Sequence, residues 1–220
     1  MIECSSERIY YKKRPKQPKR RFFRLLTAFL IIVGLILYYR FAVTESVYFV
    51  LSSYVEQYSL ESINQASKNS IQKNDDYSEF ITVEKNDLGE IILMKSHTQK
   101  INGLKTEVAL KTQNLLQKKL DNGIDIPFMA FSGIKFLSGY GKKVNFKSIS
   151  ISSVDTVFDG EFKSVGINQT LHSLYLNVMV KVRVEMLGGG KVFENNSRIL
   201  ISEAVLVGKV PEIYLNGKLF

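Results

Sequence analysis

The chain has 220 residues, 45% of them hydrophobic and 23% charged, with a formal net charge of +9. That apolar fraction excludes a disordered chain and suffices for one buried core plus an appendage. A lone cysteine, Cys4, excludes an intrachain disulfide and any cysteine-based metal site.

The charge is concentrated at one end. Residues 1–24 hold nine Lys or Arg against Glu3 and Glu7, a net of +7, and the rest of the chain carries only +2. Binding to a phosphate backbone needs a dense positive surface on the folded part, so nucleic acid is not an expected partner. The basic run reads instead as a topology signal and lipid contact beside a membrane span. A cytoplasmic DNA contact through the tail is the competing reading.

Behind the tail, "RFFRLLTAFLIIVGLILYYRFAV" holds no charge from Leu25 to Tyr39. As a helix those fifteen residues reach roughly 22 Å, against a hydrocarbon core of roughly 30 Å. Phe22, Phe23 and Phe41 to Val43 extend the apolar run. Arg20, Arg21, Arg24 and Arg40 can hold their charge at headgroup level, and Tyr38 and Tyr39 suit the interface. The expectation is a basic cytoplasmic tail over 1–21, a single transmembrane anchor over 22–43 and an extracytoplasmic domain over 44–220. A cleaved signal peptide competes, but "YYRFAVTES" offers only a weak cleavage site.

The domain's predicted elements follow in order. A helix over 44–73 turns Val47, Leu51, Tyr54 and Tyr58 toward its own domain. A hairpin over 79–95 folds around Asn86, Asp87 and Gly89. A helix over 97–122 buries Ile101, Leu104, Val108 and Leu115, with Ser96 and Gln99 as a capping box and Gly123 past its end. Residues 124–141 carry Phe128, Met129, Phe131, Ile134, Phe136, Leu137 and Tyr140 without a period. Internal burial is expected, because large exposed apolar patches are rare, with a contact patch as the alternative. Residues 142–215 are β-rich, with turns near Asp159 and Gly160, at Gly188 to Gly190 and at Gly208. The sum is an α+β domain with a mainly antiparallel sheet.

Motifs for chemistry are sparse. His97 and His172 lack metal-ligand spacing, and neither a nucleophile elbow nor a phosphate loop is present, so no cofactor and no catalytic residue is expected. "GYGK" at 139–142 precedes a strand and reads as a turn. Asp121 with Asp125, and Asp155 with Asp159 and Glu161, are expected to cap turns. An envelope enzyme acting on peptidoglycan or its precursors would need His172 beside Asp155 or Asp159. The sequons at Asn168 and Asn195 carry little weight.

From Leu174 the even positions are apolar through Val184 and the odd ones include Asn177, Lys181, Arg183 and Glu185, the pattern of a half-buried strand. His172 shares the buried parity, so a histidine at the core margin, bonded to the turn over Gly166 to Thr170, is expected.

"GINQTLHSLYLNVMVKVRVEM" followed by "SEAVLVGKVPEIY" resembles the two C-terminal blocks of the YunB family of sporulation proteins from endospore-forming Firmicutes. The motif residues are Gly166, Asn168, Gln169, Thr170, His172, Gly208, Pro211 and Tyr214, to which the residue-level reading gives structural roles. "ITVEKNDLGEI" and the "IP…G…SGYG" block extend the resemblance over most of the chain. It implies a protein of spore formation, in the mother cell, with its domain facing the space between the two forespore membranes and with no catalytic activity. The order helix, hairpin, helix, strands is similar to that of small oligomerising domains of sporulation membrane complexes, so other envelope proteins or self-association are the expected partners beside the membrane.

Overall fold

The computed structural model describes residues 19–72, 76–187 and 189–208. Residues 1–18 of the basic tail, residue 73 of the predicted helix, Gly188, Pro211 and Tyr214 lie outside the described residues.

Apolar residues with high helix propensity carry α1 from Lys19 to Tyr38, and nothing stops it there: no Pro or capping Gly intervenes. A π-helical turn over Tyr39–Val43 passes directly into α2, Thr44–Ile71, and the flanking residues Tyr38 and Thr44 both keep helical dihedrals. The Thr44 amide and its Oγ1 both donate to the Tyr39 carbonyl, the latter at 3.0 Å, closing the widened turn. The result is one rod of roughly 80 Å. Among the described residues it is the one helix long and apolar enough to cross a membrane.

The two halves of the rod differ in surroundings. Phe22 to Tyr38 are almost entirely exposed, whereas Val43, Val47, Tyr48, Leu51, Val55, Ser59, Ile63, Ala66 and Ser70 are buried. Tyr54 and Tyr58 flank this stripe and do not centre it. Small residues take the inner positions because α3, Thr98–Asp121, packs there. The buried face of α3 is Leu104, Val108, Thr112, Leu116 and Leu120, every fourth residue, so Leu116 fills the place expected for Leu115. No capping box forms: Ser96 ends a strand, and His97 precedes the helix without a side-chain cap. Gly123, at φ 75°, ends the segment as expected, its amide bonded to the Leu120 carbonyl.

Between the helices lies the hairpin of β1, Ile81–Lys85, and β2, Ile91–Ser96. Its turn is set by Asn86, whose Oδ1 accepts from the Leu88 and Glu90 amides, with Gly89 at φ 78°. After α3, β3 (Ile124–Pro127) pairs with β4 (Lys143–Phe146) as a second antiparallel ribbon. Ile124 and Ile126 of β3 reach the core, but the 3₁₀ turns that follow leave Phe128, Ile134, Phe136 and Tyr140 exposed. Internal burial of 124–141 holds only in part: Ala130 is buried, Phe131 packs against the core and Met129 and Leu137 are half-buried, while the other four apolar residues of the segment face outward.

The main sheet has three antiparallel strands, β5 (Ile149–Ser164), β6 (Gln169–Met186) and β7 (Gly189–Val207), with β6 central. The even residues of β6 from His172 to Val184 are buried, and α2 and α3 lie over that face; the odd face is left to solvent. This is a two-layer α+β architecture. Register shifts beside Ile151 in β5 and beside Leu200 in β7 bend the long ladders.

The hydroxyl of Thr112 is buried without a hydrogen-bond partner in the protein. Thr112→Val keeps the shape and removes that polar group, so it is expected to raise stability by about 1 kcal/mol, read from urea unfolding.

Candidate functional site

Among the described residues, those of the family motif converge where β5 and β7 end and β6 begins. β5 turns into β6 over Val165 to Asn168, closed by the Val165 amide donating to the Gln169 carbonyl at 3.0 Å and by Ser164 Oγ donating to the Gly166 carbonyl at 3.2 Å. Gln169 and Thr170, expected in the turn, already belong to β6. The Gly208 amide donates to the Asn168 carbonyl at 2.7 Å, and Asn168 Nδ2 donates to the Gly208 carbonyl at 3.1 Å. These paired bonds hold the end of β7 to the β5–β6 turn, and Asn168 and Gly208 have structural parts there. A shallow groove of about 340 Å³ lies beside them, its apolar lining supplied by Ile91, Met94, Phe162, Ile167 and Leu206.

One register step further in is His172, only 4% exposed. It does not bond the turn. Its Nδ1 lies 2.5 Å from the hydroxyl of Tyr77, which sits in a short 3₁₀ segment ahead of β1. Burial lowers the pKa of His172 and raises that of Tyr77, so both are neutral near pH 7, and the imidazole tautomer sets which of the two donates. Phe162, its cross-strand neighbour in β5, stacks on the imidazole with ring centres 4.0 Å apart and planes 3° from parallel. Nε2 faces Gly160, where an added Cβ would come within 3.1 Å of it.

That contact explains a failed expectation. Asp159 and Gly160 do not form a turn; they lie inside β5, with Gly160 opposite Leu174. A glycine there makes room for the imidazole ring, a packing need that local sequence does not reveal. Tyr77 and Phe162 are accordingly not legible as site residues in the sequence, and Gly160 reads there only as a turn. The parity of Phe162 and Gly160 with the inner face was the available signal.

Asp155, Asp159 and Glu161 are strand residues as well, paired in register with Met179, Tyr175 and Ser173 on the solvent face. There Arg198 Nη2 approaches Glu161 at 2.9 Å and Asp159 at 3.8 Å, and its guanidinium lies 3.7 Å from the centre of the Tyr175 ring. His172 faces the helices, so the sheet itself separates it from these carboxylates. Acid–base partnership between them has no geometric basis. Asp125 sits in β3 and accepts from Asn145 Nδ2 at 2.9 Å, and Asp121 accepts from Gln117 Nε2 at 2.6 Å. His97 Nε2 pairs with Thr82 Oγ1 at 2.7 Å. Among the described residues no three His, Cys, Asp or Glu side chains gather as metal ligands. Asn195 of the second sequon points inward, donating to Ser59 Oγ at 3.2 Å.

The His172 pair is therefore a clamp that ties the segment before β1 to the sheet. Its pH dependence has a definite sign. A histidine with a lowered folded pKa binds fewer protons than the unfolded chain below about pH 6.5, so its stabilising effect is present above that pH and is lost as pH falls. The stability of His172→Gln, which keeps an acceptor for the phenol but does not titrate, is expected to be flatter with pH between about 7 and 5 than that of the parent, measured by urea unfolding across that range.

The residues named for anchoring lie apart from this clamp. Arg20, Arg24, Tyr38 and Arg40 are exposed along the rod, and Tyr39 packs partly against the core.

Comparison with known proteins points to one family. Residues 123–213 match the family described as Sporulation protein YunB. The chain is also similar to the Sporulation protein YunB of Bacillus subtilis (strain 168), with 25% identity over 178 residues, which is 76% of this chain and 65% of that protein. It thus spans slightly less than two thirds of that relative's length. No solved structure matches. The matched residues begin at the turn after α3 and take in β3 to β7, the Gly166 to His172 block included; over them this chain is similar to the sporulation protein YunB family.

Proposed function

We propose that this is a non-enzymatic, single-pass membrane protein of spore formation whose outer α+β domain contributes to assembling the envelope or a protein complex within it. The observation that carries the reading is the unbroken rod: its apolar half is exposed as a membrane span would be, and its other half is the core helix of the domain. A flexible linker would let a domain search; a continuous helix fixes its height and orientation at the membrane, which suits a scaffold. The net charge of +7 over residues 1–24 favours a cytoplasmic N-terminus and an extracytoplasmic domain. The mother-cell membrane or the outer forespore membrane is the location that the family resemblance favours.

The test is in-cell crosslinking of the full chain during sporulation. Recovery from the membrane fraction in crosslinked species containing further copies or other envelope proteins supports the reading. A chain released into the soluble fraction, or found only as an uncrosslinked monomer, would oppose it.

A further inference from the structure

Two loops of the domain meet the rod where α1 gives way to the π turn. In the first, the Ser132 carbonyl accepts a hydrogen bond from the Tyr38 hydroxyl, and Gly133 packs so closely that an added Cβ would stand 2.9 Å from Ala42 Cβ. In the second, the β6–β7 turn, Leu187 lies against Ile36, Tyr39 and Arg40 around a cleft of about 280 Å³. Both contacts fall within residues 36–42, one short level along the axis.

The two loops carry exposed apolar residues. Phe136 is 85% exposed, Leu187 81% and Tyr140 65%, and Phe128 and Ile134 are exposed as well. From Ile126 to Val154 the sequence has no Asp or Glu but has Lys135, Lys142, Lys143 and Lys147. In the first loop, aromatic and aliphatic tips among lysines, without acidic residues, are the composition of segments that lie in a lipid interface with anionic headgroups; in the second, Glu185 lines a cleft with Tyr39 and Leu187.

The length of the span points the same way. The largely exposed run from Phe22 to Phe41 reaches roughly 30 Å, the thickness of the hydrocarbon core, and Val43 just beyond it is buried in the domain core. The helix therefore leaves the bilayer at the level where the two loops touch it.

We propose that the loops carrying Phe136 and Leu187 insert into the lipid surface of the leaflet from which the rod emerges, so that the domain rests on the membrane as well as being tethered to it. The proposal depends on α1 spanning that membrane.

The sequence contains no tryptophan, so single introduced tryptophans report without background. The full chain is reconstituted in phosphatidylcholine–phosphatidylglycerol vesicles containing lipids brominated near the headgroup end and near the middle of their chains. Leu30→Trp reports on the span, Phe136→Trp on the loop, and Val157→Trp, on the solvent face of the sheet, is the lipid-free control. The expected result is loss of emission, with a blue shift, for Leu30→Trp and Phe136→Trp and none for Val157→Trp. Quenching of Leu30→Trp alone would overturn the proposal while leaving the anchor standing. The same holds if Phe136→Trp is shielded from aqueous acrylamide yet not quenched by bromolipid, since a protein then covers the loop. An unquenched Leu30→Trp would remove the anchor and the proposal with it.

Discussion

Gly133→Val is expected to destabilise the protein by about 3 kcal/mol, from left-handed backbone strain and overpacking together. Gly133 has φ 75°, a conformation that a β-branched residue resists. Its missing side chain also leaves the room that Ala42 and the Tyr38 hydroxyl occupy, with the Ala42 carbonyl carbon 3.1 Å from the added Cβ position. Because the obstacle includes backbone of the rod, it cannot swing aside as a flexible side chain would. Gly139, six residues on, has nothing within 4 Å of its Cβ position and no positive φ, so Gly139→Val should stay within about 0.5 kcal/mol of the parent. Urea unfolding of the full chain in detergent compares the two. Equal effects would mean that the loop does not pack on the rod.

Leu51→Ala is expected to cost about 3 kcal/mol, the usual loss when a fully buried leucine leaves a cavity in a core that cannot close around it. Leu51 is 0% exposed among residues of α2, α3 and the sheet, while Phe49, two positions away on the same helix, is 55% exposed. Phe49→Ala should therefore cost far less, despite removing the larger side chain. The same unfolding measurement decides: a larger loss at Phe49 would place the wrong face of α2 against the sheet.

How much of this was legible depends on how far each residue's reason lies along the chain. The alternation of β6 from Leu174 to Val184 could be read directly, because a sheet covered on one face forces a period of two on its central strand. Gly123 as a helix stop and the Asn86 to Gly89 turn were equally local. The stripe of α2 was read only in part. Its inner positions are Ser59, Ser62, Ala66 and Ser70, small residues that let α3 approach, and a hydrophobicity pattern gives them no weight beside Tyr54 and Tyr58. Gly160 looked like a turn because a glycine after an aspartate usually is one; what places it in β5 is the imidazole of His172, across the ladder.

The candidate site divides the same way. The burial of His172 followed from its parity, but its partner Tyr77 stands 95 positions away, in a segment with no signal of its own. The exposure of Phe136 and its neighbours likewise depends on Tyr38, 94 positions from Ser132, which holds their loop against the rod. Burial propensity alone argued for the opposite.

The central claim, a cytoplasmic tail joined by one rod to an outer domain, is most directly tested by cysteine labelling in intact cells. Cys4 is the lone cysteine of the sequence, and Asn196 lies on the solvent face of the sheet, opposite Met179 in register. With the chain produced in vegetative cells, where the outer side of the membrane faces the medium, a membrane-impermeant maleimide should label Asn196→Cys in a Cys4→Ser background without permeabilisation, and should reach Cys4 of the parent only after it. Labelling of Cys4 in intact cells with Asn196→Cys protected would contradict the account.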